Sequence, residues 1–167
     1  MRPLYSFLAV LGLLSIGDAL PGSVSDFLMV TNIKLRIPPP AQLSCANTTI
    51  SFTVQDVNPI ANCSATCSGT WPVASDQYPT GPYVPCDDAY AWNFANAGYN
   101  GPHNFTLQIE HIYEDHSLGP PPYDSRSTFA HTTVNKTSIR CHKQKDGARN
   151  CLQPLDLPIK APIWMES

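Results

Sequence analysis

Hydrophobic and polar positions alternate along several stretches of the chain. In residues 46–56 the apolar side chains of Ile50, Phe52 and Val54 are separated by Ser, Thr and Gln. A period of two is typical of a β-strand with one buried face and one solvent-exposed face. The same alternation predicts further strands over residues 27–37, 89–95 and 103–113. A Thr-rich, β-prone stretch predicts another over residues 126–136, followed by strands over residues 138–141 and 152–160.

The segments between these strands are rich in residues that favour turns. The chain contains 17 prolines, and no stretch shows a convincing apolar period of about 3.6 residues, as a helix would. The turn-rich connectors are predicted over residues 69–85, 96–104 and 117–127. Short strands separated by turn clusters favour an all-β fold, a single compact antiparallel β-barrel or β-sandwich.

The first residues have the pattern of a secretory signal peptide. Arg2 precedes an apolar run over residues 4–16, and the small residues Gly17 and Ala19 follow it. This run is too short and wrongly flanked for a membrane-spanning helix. We therefore expect a signal peptide over residues 1–19 and a single domain over residues 20–167. The protein is expected to be secreted and extracellular, without a membrane span.

The charge of the chain excludes some partners. The formal net charge is −3 at pH 7, which predicts neither a general nucleic-acid binder nor an acidic disordered tail. We expect no nucleic-acid partner.

All six cysteines follow the signal peptide, and an even number in a secreted chain predicts disulfide bonds. Cys141 and Cys151 flank an Asp-Gly pair typical of a hairpin turn, so they are expected to face each other. Cys67 and Cys86 bracket a loop rich in Pro, Gly and Tyr, and a disulfide between them is expected to hold this loop. The pair Cys45 and Cys63 follows by elimination alone. With all six oxidised, no thiol is expected to serve as a nucleophile.

Four triplets have the Asn-x-Ser/Thr pattern of N-glycan acceptors. Asn62 is the poorest candidate, because its neighbour Cys63 is expected to be in a disulfide. A glycan at any of the others would exclude a buried partner there. The four acceptors are Asn47, Asn62, Asn104 and Asn135.

The order of these features resembles the family of the Alternaria major allergen, a fungus-specific group of small secreted proteins. The similar segments are "TTISFTVQD", "TCSGTW", "CDDAYAWNF" and "FTLQIEH", followed by a Thr-rich strand and a late cysteine pair. The resemblance extends over residues 26–163. The resemblance implies a β-barrel secreted by a fungus, and a role as an allergen, an elicitor of plant defence or an effector that binds host defence proteins.

One feature of that family is missing. The allergen has a cysteine near its mature N-terminus that links two subunits, whereas only "LPGSVS" precedes the first strand here. The sequence therefore does not predict a covalent dimer of that kind, and a non-covalent homodimer stays open.

Motifs for catalysis and cofactors are weak in this sequence. The chain has no Gly-x-Ser-x-Gly elbow, no His-Glu-x-x-His zinc helix and no P-loop. A ribonuclease-like set needs a carboxylate, a histidine and a cation around one phosphate. The residues that offer these groups are Glu110, His111, Arg126 and His131. Because Glu110 and His111 are adjacent on a strand, they point to opposite faces, and we interpret His111 as a core or edge histidine.

Two metal-binding hypotheses are weaker than their structural alternatives. Glu114, Asp115 and His116 could hold a divalent cation, but an exposed acidic loop explains them better. Asp87 and Asp88 more often begin a strand than bind calcium, which takes six to eight oxygens. We expect no metal and no cofactor.

Two surfaces are candidates for binding. The predicted hairpin carries a cluster of basic residues that could contact anionic polysaccharide or an acidic host protein. The proline-rich loop before the aromatic strand offers aromatic side chains, which are favoured at recognition surfaces. The candidate residues are Arg140, Lys143, Lys145 and Arg149, with His142 beside them, and Trp71, Tyr78 and Tyr83. The alternative for the hairpin is a solvated turn whose charge only keeps the protein soluble, and the alternative for Trp71 is packing over the neighbouring disulfide.

The sequence therefore predicts a secreted, disulfide-stapled, N-glycosylated and non-catalytic protein. We expect it to bind a host defence protein, an anionic cell-wall polysaccharide or a small ligand through its loops. The alternatives are a small secreted hydrolase or ribonuclease with a shallow site, and a structural protein of the fungal wall or spore surface.

Overall fold

The computed structural model describes residues 26–42, 46–73 and 77–167. The predicted signal peptide, residues 1–19, and the start of the domain lie outside the described residues. Within the described part, no helix has the length and apolar character to cross a membrane. A short 3-10 helix occupies Pro40–Gln42. The strands are β1 Phe27–Ile37, β2 Asn47–Asp56, β3 Ser64–Pro72, β4 Val84–Pro85, β5 Tyr90–Tyr99, β6 Asn104–Glu114, β7 Ser125–Asn135, β8 Arg140–Lys143, β9 Arg149–Leu152 and β10 Ile159–Glu166.

The strands form one antiparallel sheet in the order β3-β2-β1-β10-β7-β6-β5-β4, with β9 also beside β1 and β8 beside β9. A disulfide joins Cys67 on β3 to Cys86, directly after β4. Next to it, the backbone N–H of Asp87 donates to the carbonyl of Thr66 at 3.2 Å. These links bring the two edge strands together and nearly close the sheet into a barrel, which confirms the predicted all-β fold.

The core follows from the alternation along the strands. On β2, Ile50, Phe52 and Val54 are all buried, as the period of two predicts. Phe52 meets Trp92 of β5 edge to face, with ring centroids 5.3 Å apart. Trp92 is fully buried and donates its indole N–H to the carbonyl of Ser68 at 3.2 Å. The barrel interior is therefore an aromatic-rich core and not a channel.

A bulge interrupts β1 and changes which positions face inward. The pairing with β2 shifts between Thr31 and Lys34, and Asn32 has a left-handed φ of 56°. Asparagine tolerates this conformation better than most residues. Because one residue is added, inward positions change from even to odd: Leu28 is buried before the bulge, and Leu35 after it.

Gln153 satisfies the backbone groups that the bulge leaves unpaired. Its side-chain oxygen accepts a hydrogen bond from the N–H of Ile33 at 3.0 Å. Its side-chain nitrogen donates to the carbonyls of Val30 at 3.2 Å and Leu157 at 2.6 Å. Gln153 directly follows β9, is buried, and lies beside β1 between its segment paired with β10 and its segment paired with β9. An unsatisfied buried backbone group is costly, so this amide supports both pairings.

The predicted strands differ from the observed strands in two places. Strand β3 was not predicted, because its inward residues include the small Ala65 and Cys67, which give a weak apolar pattern. The predicted strand over residues 152–160 is wrong, since β9 ends at Leu152 and a turn separates it from β10. Pro154 begins that turn and accepts a hydrogen bond from the N–H of Leu157 at 3.2 Å.

Two disulfides, Cys67–Cys86 and Cys141–Cys151, have the predicted pairing. Cys63 instead carries a free thiol, which contradicts its predicted bond to Cys45, a residue outside the described ranges. The neighbour of Cys45, Ala46, lies beside the start of β2, and Cys63 lies beside its last residue, Asp56. An extended strand of this length separates Ala46 from Cys63 by roughly 30 Å.

Candidate functional site

The barrel has two ends with different chemistry. Asn104 begins β6 and Glu114 ends it, so these residues mark opposite ends of the barrel. We call the end with Glu114 the cleft end, because an open cleft lies beside it. We call the end with Asn104 the hairpin end, because the β8–β9 hairpin projects there, with Cys141 of β8 3.9 Å from His103.

At the cleft end, three side chains form a continuous polar chain. The Cys63 sulfur lies 3.2 Å from Nε2 of His111, and Nδ1 of His111 lies 3.1 Å from Oδ2 of Asp56. The side chains of His111 and Asp56 are buried, and Cys63 is half-buried. A thiol, an imidazole and a carboxylate linked in this order form an acid–base relay, in which the carboxylate orients the imidazole toward the sulfur.

Tyr90 holds this chain in place. Its ring stacks on His111 at a centroid distance of 4.0 Å and an interplanar angle of 7°. Its hydroxyl donates to the carbonyl of Cys63 at 3.0 Å and accepts from the N–H of Asp56 at 2.9 Å. Burial raises the pKa of Tyr90, and the Cys63 thiol raises that pKa further. The phenol therefore stays protonated and available as a donor.

The sequence contains a signal for this arrangement that was missed. Asp56 follows Val54 on the inward face of β2, and His111 follows Ile109 on the inward face of β6. Each ionisable residue continues an apolar face, so both are directed inward at the ends of their strands. The interpretation of His111 as a buried histidine was right, but its partners were not identified. Cys63 was assigned to a disulfide, so the expectation that no thiol remains free is wrong.

The cleft beside the relay has an acidic border. Its volume is about 570 Å³, and both Cys63 and His111 line it. The carboxyl groups on its wall belong to Asp88, Glu114 and Asp124, and no lysine or arginine lines it among the described residues. The cleft therefore favours positive or neutral molecules over anions.

The acidic loop predicted from the sequence lies at this border. His116 hydrogen-bonds Asp124 at 2.9 Å, and the ligand atoms of Glu114, His116 and Asp124 lie within 4.8 Å of one another. His116 and Glu114 are about three-quarters exposed. Asp115 accepts hydrogen bonds from the hydroxyl and the N–H of Ser117, and the hydroxyl bond contributes most to lowering the pKa of Asp115.

The residues suggested for a ribonuclease do not converge. His111 points inward to Asp56, whereas Glu110 lies on the opposite face of β6 beside Phe129 of β7. Arg126 pairs with Asp115 at 3.8 Å and with Glu166 at 3.4 Å. His131 is exposed on β7. These side chains do not surround a common phosphate position, so the geometry disfavours this hypothesis.

The predicted basic hairpin is present and exposed. Its turn is fixed by hydrogen bonds from Gln144 N–H to Ala148 at 2.7 Å and from Gly147 N–H to Gln144 at 3.0 Å. Gly147 has a φ of 93°, which favours glycine. In the described part of the chain, no salt bridge involves a hairpin cation. The exposed basic residues are Arg140, His142, Lys143, Lys145 and Arg149.

The aromatic loop is less accessible than the sequence suggests. Trp71 is only 3% exposed and packs edge to face on Phe94 and Tyr99, so its assignment as an exposed binding residue is corrected to a core role. Tyr78 contacts the same cluster and is half-buried. Tyr83 is also half-buried, and its burial raises its pKa. The aromatic contribution to any binding surface here is therefore small.

The glycan acceptors are exposed and unequally distributed. Asn47, Asn104 and Asn135 lie at the hairpin end, whereas Asn62 lies beside Cys63 at the cleft end. Asn104 and Asn135 face each other directly across β6 and β7. A glycan on either would therefore stand next to the other and near the basic hairpin, which starts at Arg140.

Comparisons with known proteins identify the fold. No protein-family model matches the chain, and a search of curated proteins finds no match. Among solved structures, the crystal structure of Alternaria alternata allergen Alt a 1 superposes with a TM-score of 0.51 and 11% sequence identity. The match covers 83% of this chain and 88% of that chain. The predicted resemblance is confirmed at the level of the fold. The protein is allergen-like in its architecture, and its disulfides are consistent with secretion.

Proposed function

We propose that this is a secreted, allergen-like binding protein without catalytic turnover, which contacts an anionic host partner through its basic hairpin. The observation that carries this proposal is the set of exposed hairpin cations without an acidic partner among the described residues. Surface charges that are paired in their own protein contribute little to a new contact. Unpaired cations on a fixed turn attract anions over several ångströms.

The hairpin is also stable enough to present these charges. The Cys141–Cys151 disulfide joins its two strands, and β9 pairs with β1 from Lys34 to Ile37. Binding groups on a loop fixed to a rigid scaffold lose less entropy on binding. The cations therefore form a preorganised surface for an acidic host protein or an anionic polysaccharide such as pectin.

The test is binding to polygalacturonate, with neutral dextran as the matched uncharged polymer. We expect binding to polygalacturonate alone, with affinity falling at least about tenfold between low and high salt. Replacing Lys143, Lys145 and Arg149 together by Gln should abolish it. The single variant Lys143→Gln should weaken binding. Its control is Lys160→Gln, which removes a cation that packs over Phe27 away from the hairpin and should bind normally.

An acidic protein partner is tested in parallel. Wild-type and triple-Gln proteins are used to capture binding partners from host extracellular fluid, with and without enzymatic removal of N-glycans. A partner captured by the wild type alone supports a protein target. If both proteins capture the same partners and bind polygalacturonate equally, the hairpin is not the binding surface. Hydrolysis of RNA or wall polysaccharide by the purified protein would refute the non-catalytic assignment.

A further inference from the structure

The thiol at the cleft end is not used by the proposed binding function. A buried histidine needs a hydrogen-bond partner, and Asp56 already supplies one at 3.1 Å. The second nitrogen of His111 nevertheless points at the Cys63 sulfur, 3.2 Å away. Because the carboxylate accepts the proton of Nδ1, Nε2 is left free to accept the proton of the thiol. The relay therefore has the direction that activates a sulfur nucleophile.

Cys63 also borders a cleft that a reactant can enter. Cys63 is half-buried and lies on the cleft wall together with His111. Asp88, Glu114 and Asp124 surround the approach. Arg126, which follows the cleft residue Ser125, has its charge engaged by Asp115 and Glu166. A positively charged reactant is therefore attracted to the sulfur, and an anionic one is repelled.

The surroundings of the sulfur distinguish between types of thiol chemistry. Acyl transfer needs free N–H donors for a developing oxyanion. The N–H of Cys63 donates to Ala61 at 2.7 Å, and that of Ala89 donates to Asp88 at 2.8 Å, so both are occupied. Thiol–disulfide exchange needs no such donors, because the charge stays on sulfur throughout.

We propose that Cys63 is a reactive thiol that captures small, positively charged disulfides by thiol–disulfide exchange. His111 takes the proton of Cys63, and the thiolate attacks one sulfur of the disulfide. The sulfur–sulfur bond of the reactant breaks as the bond to Cys63 forms. The leaving thiolate takes the proton from His111 and departs as a neutral thiol. No net oxidant is consumed, since one disulfide replaces another.

The product is a stable adduct and not an intermediate. A second thiol would be needed to release the captured group, and Cys63 is the free cysteine in the part of the chain that the structure describes. Within the described part of the chain, the reaction therefore occurs once, at Cys63. This makes Cys63 a covalent capture site, compatible with a binding protein that has no turnover.

The first measurement is the thiol content of the native protein. Labelling without reduction, followed by peptide mapping, should place one label on Cys63. A Cys63 that is labelled only after reduction would overturn the proposal. Further experiments use the Cys45→Ser background, so that any adduct belongs to Cys63, and Cys63→Ser in that background is the unreactive control.

The second measurement compares two disulfides of similar size and opposite charge. The probes are cystamine, which is dicationic, and 3,3′-dithiodipropionate, which is dianionic, with adducts followed by intact mass. At low salt we expect cystamine to react at least about tenfold faster, and the difference to shrink at high salt. Asp88→Asn with Glu114→Gln should reduce the preference. Lys136→Gln, which removes an exposed cation at the hairpin end outside both proposed sites, should leave it unchanged. Equal rates for both probes at low salt would overturn the charge selection.

The third measurement tests the relay. His111→Gln should slow exchange at least about tenfold, and its rate should fall more steeply than that of the wild type from about pH 8 to about pH 6. The titratable groups facing His111 are Asp56, Tyr90, Tyr113 and Cys63. If His111→Gln does not fold, the exchange rate and pH profile of Asp56→Asn are compared with those of the wild type instead. A folded relay variant with the wild-type rate and pH profile would refute activation by His111.

Discussion

The two ends of the barrel use charged residues in opposite ways. At the cleft end, Asp56 and His111 are buried and every polar atom of the relay has a partner. At the hairpin end, Lys143, Lys145 and Arg149 are exposed and form no salt bridge in the described structure. Buried charge must be compensated within the fold, so it is coupled to stability. Exposed charge contributes little to the stability of the fold, so it is available for a partner.

The largest expected effect comes from breaking the relay. His111→Leu leaves the Asp56 carboxylate buried without its imidazole partner, and we expect the free energy of unfolding to fall by about 3–4 kcal/mol. Urea unfolding at neutral pH, followed by tryptophan fluorescence, measures this change. A loss below about 1 kcal/mol would mean that Asp56 is compensated by other groups.

The next effect lies at the hairpin end and concerns its covalent link. Replacing Cys141 and Cys151 by Ala removes a disulfide that closes a short loop, which should cost about 2–3 kcal/mol. The same variant should bind polygalacturonate more weakly, because the cations are then less well ordered. Thermal unfolding and the binding assay check both results. Unchanged binding with reduced stability would show that ordering of the hairpin does not contribute to affinity.

A smaller effect depends on pH and returns to the cleft end. The hydrogen bonds from Ser117 lower the pKa of Asp115. This carboxylate therefore stabilises the fold at pH values above about 3.9, the pKa of an unperturbed Asp. The contribution is lost as pH falls through the lowered folded pKa.

We therefore expect Asp115→Asn to melt below the wild type at neutral pH, and the two melting temperatures to converge in acid. Ser117→Ala, which removes the hydroxyl donor, should behave in the same direction. A difference that persists unchanged at low pH would indicate a cause other than ionisation of Asp115.

The smallest effect on stability should come from removing the hairpin cations. The triple Gln variant of Lys143, Lys145 and Arg149 should change the free energy of unfolding by less than about 0.5 kcal/mol, although it should abolish anion binding. Parallel urea unfolding of this variant and of His111→Leu gives the direct comparison. A large loss in the triple variant would contradict the separation of charge from stability at this end.

Much of the fold could be predicted from local pattern. The strand at residues 27–37 coincides with β1, because its alternation is strong and proline ends it. The bulge within β1 was not predicted, since Asn32 gives no local sign that the register shifts there. Strand β3 was missed because Ala65 and Cys67 carry little apolar surface.

The site was less predictable, because it depends on distances between strands. The inward direction of Asp56 and His111 could be read from the alternation, but their contact requires the barrel to close around them. Cys63 was assigned by elimination from an even cysteine count. Only the pairing of β2 with β3 shows that the Cys63 end of β2 is far from the Ala46 end.

The side chain of Gln153 has a consequence for how this barrel can be altered. It hydrogen-bonds the N–H of Ile33 and the carbonyl of Val30, and so satisfies the backbone of β1 between the segment paired with β9 and the segment paired with β10. The β8–β9 hairpin thus lies outside the main strand order of the sheet, and Gln153 satisfies the backbone where the hairpin ends. The hairpin is separate from the strands that line the cleft. Hairpins of other lengths and charges could be grafted before Gln153 while the barrel is retained, which makes this position a natural boundary for redesigning specificity.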